Sequence, residues 1–468
     1  MPPSNRTSLR QALSDLAPQA LGAFVDVGAS VNLADALGGT NLAGGNAGAA
    51  GRRVLLAADG QLASALALIA LDGVAKDIVL CPPDLSAEHR AVIAARVGVD
   101  LVVTDHAEGP LRGLHEIEHL RCFPAIAADA GNVAPAVATN WVLLTSGTSG
   151  PPKAVRHTLS TLTGAIAAPA ATAEPVVWST FYDIRRYGGL QIYLRAVLGG
   201  HTLVLSNAHE PLMDFLARAA AAGATHVTGT PSHWRSALMT GSIGTISPRY
   251  VRLSGEIAGQ VVLDGLRAAF PAARIVHAFA STEAGVAFEV TDEREGFPAS
   301  YIGTEAGPVA MRVAEGSLLI RSNRTAHEYV GDSGEALRDA DGYVDTGDMV
   351  ELRTERYFFT GRRGGIINVG GAKVHPEEVE AVINRHAEVQ ISLVKARSNP
   401  IMGAIVAAEI VLKGAPAASR SSEQLDAIRT EITTLCQAEL ASHKVPLSIR
   451  FVASLPTTPS GKLARPNA

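Results

Sequence analysis

Cysteine is nearly absent. Cys81, Cys122 and Cys436 are the only three in 468 residues, far apart and in no metal-ligand spacing. That excludes a disulfide framework or a zinc ribbon and leaves free buried thiols in a reducing compartment as the expectation. A strong field of one sign is missing too. The formal net charge is −5, which draws the chain to neither nucleic acid nor an anionic membrane. Long apolar runs are also lacking: the most apolar early segment, Leu62 to Leu71, is about half of what a spanning helix needs, and Asp72 ends it. The N-terminal residues show no basic patch followed by an apolar stretch, so no secretory signal is expected, and the cytoplasm is the expected compartment. No tandem repeat is visible.

What is present is length and alternation. A single hydrophobic core stops growing at about 250–300 residues, so two or more domains are expected. From residue 53 short apolar runs alternate with helical patterns, and the alternation recurs through WVLLTSG, HTLVLSN, ATHVTGT, YVRLSG and RIVHAF. This predicts an α/β fold whose large N-terminal domain has doubly wound, parallel or mixed sheets. Between residues 310 and 360 the texture turns to short strands and turns, a small β-rich subdomain. Beyond Gly365 a helix opened by Pro376, with Glu377 and Glu378 in its first turn, precedes two strands and a long amphipathic helix. That is a small α+β domain of roughly 100 residues. The glycine-rich stretch GGTNLAGGNAGAAG reads as a flexible loop and does not fit the dinucleotide fingerprint.

The strongest local signal runs from Thr145 through Ser146, Gly147, Thr148, Ser149 and Gly150 to Lys153. A buried strand feeds a run of hydroxyls and glycines that ends in a lysine. Glycines let backbone N–H groups approach phosphate oxygens, hydroxyls add donors, and the lysine is a mobile cation. Two prolines after Gly150 and Ala154 after Lys153 break the Walker pattern. A polar turn without ligand is the plain alternative.

The segment resembles the phosphate-binding signature of the adenylate-forming (AMP-binding) superfamily: acyl-CoA synthetases, luciferases and peptide-synthetase adenylation domains. Further signatures follow in the family's order. His277 to Glu283 resembles its aromatic-Gly-x-Thr-Glu element, and Tyr343 to Asp348 its Tyr-x-Thr-Gly-Asp element. Gly361 to Glu380 resembles the hinge, and Pro456 to Lys462 the terminal lysine loop. The resemblance covers residues 140 to 462 and implies the acyl-CoA ligase type. ATP, Mg²⁺ and coenzyme A would serve a small carboxylic acid, activated as its acyl-AMP with release of pyrophosphate and then made a thioester.

The resemblance also implies roles. Thr145 to Lys153 hold the β- and γ-phosphates, Thr282 meets the α-phosphate, and Glu283 holds Mg²⁺. Phe279 packs beside the adenine, with Ser254, Gly255 and Glu256 on its other side. Asp348 accepts from the ribose hydroxyls, Arg362 supports ribose or phosphate, and Lys462 bridges carboxylate and α-phosphate. Gly370 and Gly371 line the pantetheine tunnel, opened when the small domain rotates. The implied division is 1–361 for ATP and acid, 362–365 as hinge, and 366–468 as the mobile domain. Three departures stand out: Gly364 replaces the usual Asp or Lys of the hinge, Ala280 replaces the glycine after the aromatic, and the chain before the phosphate loop is short.

The acyl pocket is expected among Asp183, Arg185, Tyr187, Gly188, Ser232 and Ala278. An inward Arg185 would favour a polar or acidic acyl group through a bidentate contact. Alternatively, Arg185 and Arg186 are surface or phosphate-side charges, or Asp183 holds a substrate amine. Two competing functions stay open. A separate carrier protein could accept the acyl group in place of CoA. His115-Glu116-Ile117-Glu118-His119 matches the H-E-x-x-H pattern of zinc hydrolases, which needs both histidines on one helical face; a solvated charged helix is the plain reading. The sequence sets no oligomeric state.

Overall fold

In the computed structural model the apolar runs become strands. The structure describes residues 8–18, 21–107, 109–128, 133–145, 152–167, 175–304, 307–331, 336–369, 372–399, 403–414, 416–458 and 462–464. Arg53–Leu56, Asp77–Leu80, Leu101–Thr104 and Asn140–Leu144 pair in parallel, in the spatial order Leu101, Arg53, Asp77, Asn140. They belong to an eight-stranded sheet whose margins are antiparallel, with Ala154–Thr158 beside Asn140–Leu144 and Gly39–Leu42 beside Glu118–Ala128. Parallel strands are buried on both faces, which is why the sequence shows continuous apolar runs. The helix Gln61–Leu71 is buried along its whole length, which accounts for its lack of a polar face. Ala87–Val97 is instead capped by Ser86 and stopped by left-handed Gly98.

A second eight-stranded sheet contains Val177–Thr180, His226–Gly229, Tyr250–Ser254 and Arg274–Ser281 as successive parallel neighbours. The last turns back into antiparallel Gly285–Val290. The doubly wound α/β architecture is as the alternation predicts.

The glycine-rich stretch departs from its expectation as a flexible loop. Gly39–Leu42 is a fully buried strand, paired with Glu118–Ala128. A Cβ on Gly39 would lie 2.3 Å from the Ala127 carbonyl oxygen. The glycine therefore serves close strand contact rather than chain freedom.

Two compact units divide the chain: residues 1–256 with 266–293 and 320–344, and residues 257–265 with 294–319 and 345–468. The first holds both eight-stranded sheets. The second holds most of a five-stranded sheet in the order Phe297–Pro298, Arg356–Arg362, Val344–Arg353, Ser317–Ser322, Val309–Ala314. It continues into the hairpin Ile367–Val369 and Ala372–Val374, the helix Pro376–Ile383, and a sheet of Val389–Asn399, Gly403–Leu412 and Ser448–Phe451. The helix Ser422–Glu439 begins with a Ser421–Gln424 capping box and packs Ile428, Ile432 and Cys436 into this core. Among the described residues no helix is long and apolar enough to cross a membrane.

Candidate active site

The phosphate-loop strand Asn140–Leu144 and the departing strand Ala154–Thr158 are antiparallel neighbours, and Thr145 N donates to the Lys153 carbonyl at 2.9 Å. The loop is thus pinched shut at its base. Ser146, Gly147, Thr148, Ser149 and Gly150 lie outside the described residues. Lys153 Nζ sits 4.8 Å from the ring centre of Tyr329, a cation–π seat. Tyr329 comes from the short strand Glu328–Tyr329, paired with Ala154–Thr158.

Thr282 and Glu283 form the tight turn between Arg274–Ser281 and Gly285–Val290. The turn is held at several points. His157 Nε2 donates to the Thr282 carbonyl at 2.7 Å, Ala326 N donates to the Glu283 carbonyl at 2.9 Å, and Ala284 N donates to the Ser281 hydroxyl at 3.0 Å. Glu283 is half-buried here and offers the hard carboxylate oxygen that Mg²⁺ requires. Phe279 stacks on Phe288 with ring centres 5.7 Å apart, and the strand register shifts between Phe279 and Ala280.

Ser254 is clasped by Tyr182, whose phenol donates to the Ser254 carbonyl at 2.8 Å and accepts from Ser254 N at 3.2 Å. Burial pushes that phenol well above its ordinary pKa, so it stays protonated. Gly255 has φ 84°, a left-handed turn that favours glycine. The Glu256 carboxylate accepts from Ser232 N at 2.9 Å and from the Ser232 hydroxyl at 3.0 Å, at the first turn of Pro231–Met239. Ser232 and Glu256 are therefore hydrogen-bond partners.

Arg185 is buried, and its fork is already filled. Asp183 takes Nε at 2.8 Å and Nη2 at 2.5 Å, while the Ala58 and Asp59 carbonyls take Nη1, the latter at 2.9 Å. The bidentate contact expected for a substrate is made internally. Arg186 reaches Asp84 at 2.6 Å. Tyr187 is buried at the start of the helix Tyr187–Gly199, and Gly188 faces the Tyr182 ring. Ala278 is buried opposite Glu289.

In the second unit Asp348 and Arg362 are cross-strand partners, with Nε 3.0 Å from Oδ1 and Nη2 3.4 Å from Oδ2. Thr346 supports them by accepting from Asp348 N at 3.1 Å. Burial opposes charge on Asp345, but hydrogen bonds from Ser317, Gly347 and Arg363 hold its carboxyl below the usual range. Gly364 lies in a short 3₁₀ turn, and a Cβ there would meet nothing within 4 Å. Gly361, by contrast, has φ 136° and a Cβ would fall 2.2 Å from Glu377 Oε2. Thr458 N donates to the Lys462 carbonyl at 2.6 Å, and Thr457 bridges Leu463. Gly370 and Gly371 lie outside the described residues.

The H-E-x-x-H segment is not a helix. His115 and Glu116 lie in a turn, while Glu118 and His119 begin the strand Glu118–Ala128. Both ring nitrogens of His119 are engaged, Nδ1 with the Ile117 carbonyl at 2.7 Å and Nε2 with Leu111 N at 3.1 Å. The two histidines do not share a helical face, and the zinc-hydrolase reading falls. A different trio, Asp59, Asp105 and His106, gathers metal-capable atoms within 4.8 Å of one another. Their donors are spent locally: the Asp105 carboxylate accepts from Asp59 N and Gly60 N, and Asp59 pairs with His106.

Sequence reasoning missed His157, Tyr182 and a cluster of arginines. Arg252 is buried against Glu289, with Nε 3.0 Å from Oε1. Arg195, half-buried on the same helix as Tyr187, makes hydrogen bonds among the described residues only to Gln191, at 3.1 and 3.3 Å. Desolvation, with Arg252 nearby, holds its pKa down at about 10. A charged residue inside an otherwise apolar helical pattern, LQIYLRAVL, was the available signal.

The family model for AMP-binding enzymes matches residues 46–330, more than half of the chain, and the model for their C-terminal domain matches residues 378–462. The chain belongs to the AMP-binding enzymes. A 2-succinylbenzoate–CoA ligase from Listeria monocytogenes is 25% identical over 360 residues, covering 73% of this chain and 73% of the relative. A ligase of the same name from Staphylococcus epidermidis is 26% identical over 341 residues, covering 69% and 68%. Among solved structures, o-succinylbenzoate CoA synthetase from Bacillus subtilis, in complex with its acyl-adenylate intermediate, superposes with a TM-score of 0.77. It is 19% identical and covers 98% of this chain and 97% of that one. The amide bond synthetase McbA from Marinactinospora thermotolerans gives 0.76 at 20% identity, with 97% of each chain covered. These two share the fold.

Proposed function

We propose that this AMP-binding enzyme joins a carboxylic acid to coenzyme A in two steps, using ATP and Mg²⁺. It is an AMP-forming acid–thiol ligase. In the first step a carboxylate oxygen bonds to the α-phosphorus and the bond to pyrophosphate breaks. In the second the CoA sulfur bonds to the acyl carbon and AMP leaves. Charge grows on the phosphoryl oxygens in the first step, so the protein's work is to position groups and supply cations. The observation that carries this reading is the junction of the strand leaving the phosphate loop with the Thr282–Glu283 turn, since the chemistry needs phosphate donors and a metal carboxylate close together.

Thr145 to Lys153 grip the outer phosphates, and Thr282 donates to the α-phosphate. Glu283 would hold Mg²⁺, whose charge neutralises phosphate oxygens. Phe279 and the Ser254–Glu256 strand end flank the adenine. Asp348, with Arg362 holding its orientation, accepts from the ribose hydroxyls. Lys462 supplies a cation to the reacting carboxylate and the α-phosphate. Residues 1–361 bind ATP and acid, 362–365 turn as a hinge, and 366–468 move between the steps, with Gly370 and Gly371 lining the thiol's path. The cytoplasm, where ATP and CoA are available, is its compartment.

The acid carries a second anionic or strongly polar group. This is supported by Arg195, whose hydrogen bonds among the described residues go only to Gln191 and whose guanidinium lies near that of Arg252, which bonds Glu289. Desolvation and the neighbouring Arg252 disfavour its charge, and a ligand anion would relieve both. The 2-succinylbenzoate of the relatives' names is one such acid. The test is pyrophosphate release and CoA consumption over aliphatic, aryl, dicarboxylic and amino acids. Dicarboxylic acids should lead, with one CoA consumed per acid. Preference for simple aliphatic acids contradicts the substrate class, and acyl-AMP that reacts only with a carrier protein contradicts the acceptor.

A further inference from the structure

On the strand that leaves the phosphate loop, four residues beyond Lys153, His157 is fully buried. Its two ring nitrogens face different partners: Nε2 the Thr282 carbonyl oxygen at 2.7 Å, and Nδ1 the Thr161 hydroxyl at 3.0 Å. A carbonyl oxygen can only accept, so Nε2 carries the hydrogen. Desolvation moves the ring's pKa down to about 4, so at neutral pH Nδ1 is bare and faces the Thr161 hydroxyl, whose one hydrogen it shares with the Thr158 carbonyl at 3.0 Å. That hydroxyl accepts in turn from Thr158 N at 3.1 Å. The carbonyl partner of Nε2 is met by one neutral tautomer alone.

The other anchors of the turn hold its later residues. Ala326 N engages the carbonyl of Glu283, and the Ser281 hydroxyl engages Ala284 N. The Thr282 carbonyl belongs to the peptide that joins Thr282 to Glu283, so fixing its oxygen fixes the plane from which both side chains depart. The strand that bears His157 also bears Lys153 at its entrance, and Arg156 O accepts from His327 N at 2.8 Å beside the Tyr329 seat of that lysine.

The geometry points to His157 as a positioning residue for adenylation, its Nε2–H holding the Thr282–Glu283 peptide in register with the lysine-bearing strand. The inference rests on the functional reading above. An apolar residue could fill the ring's volume; what it could not supply is the donor to the Thr282 carbonyl. Misplacing a reacting group by about 1 Å costs up to about a hundredfold in rate, so the effect belongs in kcat for acyl-AMP formation rather than in acid binding.

His157→Leu and His157→Gln separate this role from simple packing. Leucine keeps apolar volume without a donor, while the glutamine amide reaches close to the Nε2 position. Pyrophosphate release would be measured against MgATP and acid concentration, with the melting temperature of each variant. Expected are a kcat about 30–100-fold lower for His157→Leu, a KM for the acid within about twofold, and recovery to within about fivefold in His157→Gln. Thioester formation from supplied acyl-adenylate should stay within about threefold in both. Equal losses in the two variants, or activity that simply follows melting temperature, overturn the inference. If His157→Leu does not fold, His157→Gln decides alone: a loss above about tenfold in a well-folded protein overturns it. Failure of the wild type to form acyl-AMP would instead remove the functional reading and leave the hydrogen-bond geometry untouched.

Discussion

At the Thr282–Glu283 turn one absent methyl group sets the backbone. Gly285 has φ 78°, and a Cβ there would fall 2.5 Å from the carbonyl oxygen of Arg324, a backbone atom that cannot swing away. Gly285→Ala should therefore cost about 1–3 kcal/mol of stability and lower acyl-AMP formation, read by denaturant unfolding and pyrophosphate release. The Asp183–Arg185 pair gives a second residue-scale outcome. Asp183→Asn would leave a buried guanidinium short of its counterion, so a loss of about 3–5 kcal/mol is expected, whatever the acid. Loss of activity confined to amine-bearing acids, with stability intact, would show that Asp183 faces substrate instead. Which arginine turns inward was not readable from residues 183–188, because depth in an α/β core depends on strand order rather than on local pattern. Thr282, Glu283, Asp348 and Lys462 stand in short motifs that are visible in the chain, and the roles given to them are those proposed above. His157 was not readable, because its partner carbonyl is 125 residues away.

Elements show the same division. Strands buried on both faces, and the helix opened by Pro376, stand where the apolar runs and the Pro376 signal put them. Two segments did not. Gly39–Leu42 is a strand because glycine admits a neighbour's carbonyl, and Glu118–Ala128 is a strand because its pairing outweighs a local H-E-x-x-H spacing. The first helix, Leu9–Ser14, is held by Asp72, whose carboxylate accepts from Leu9 N at 2.8 Å and from Trp141 Nε1 at 3.1 Å. Burial raises the Asp72 pKa to about 7, against the hydrogen bonds that lower it. The folded state thus holds this proton more tightly than the unfolded chain. The stability it contributes is complete below about pH 4 and is lost as pH rises through about 7. Asp72→Asn should gain on the wild type in melting temperature between pH 4 and pH 8. A difference that does not change with pH would contradict a protonatable Asp72.

For the whole molecule, the proposed catalytic cycle draws on residues of both compact units. In the function proposed above, adenylation uses the Thr282–Glu283 turn and Lys462, while thioester formation uses the acyl-adenylate and a path for the thiol. On that proposal the two half-reactions should be separable by mutation at Lys462. The most direct test is Lys462→Ala assayed for each step: pyrophosphate release from MgATP and acid, and thioester formation from CoA and supplied acyl-adenylate. The first should fall at least about a hundredfold while the second stays within about threefold of wild type, with the fold intact. Pyrophosphate release at the wild-type rate would contradict the proposal.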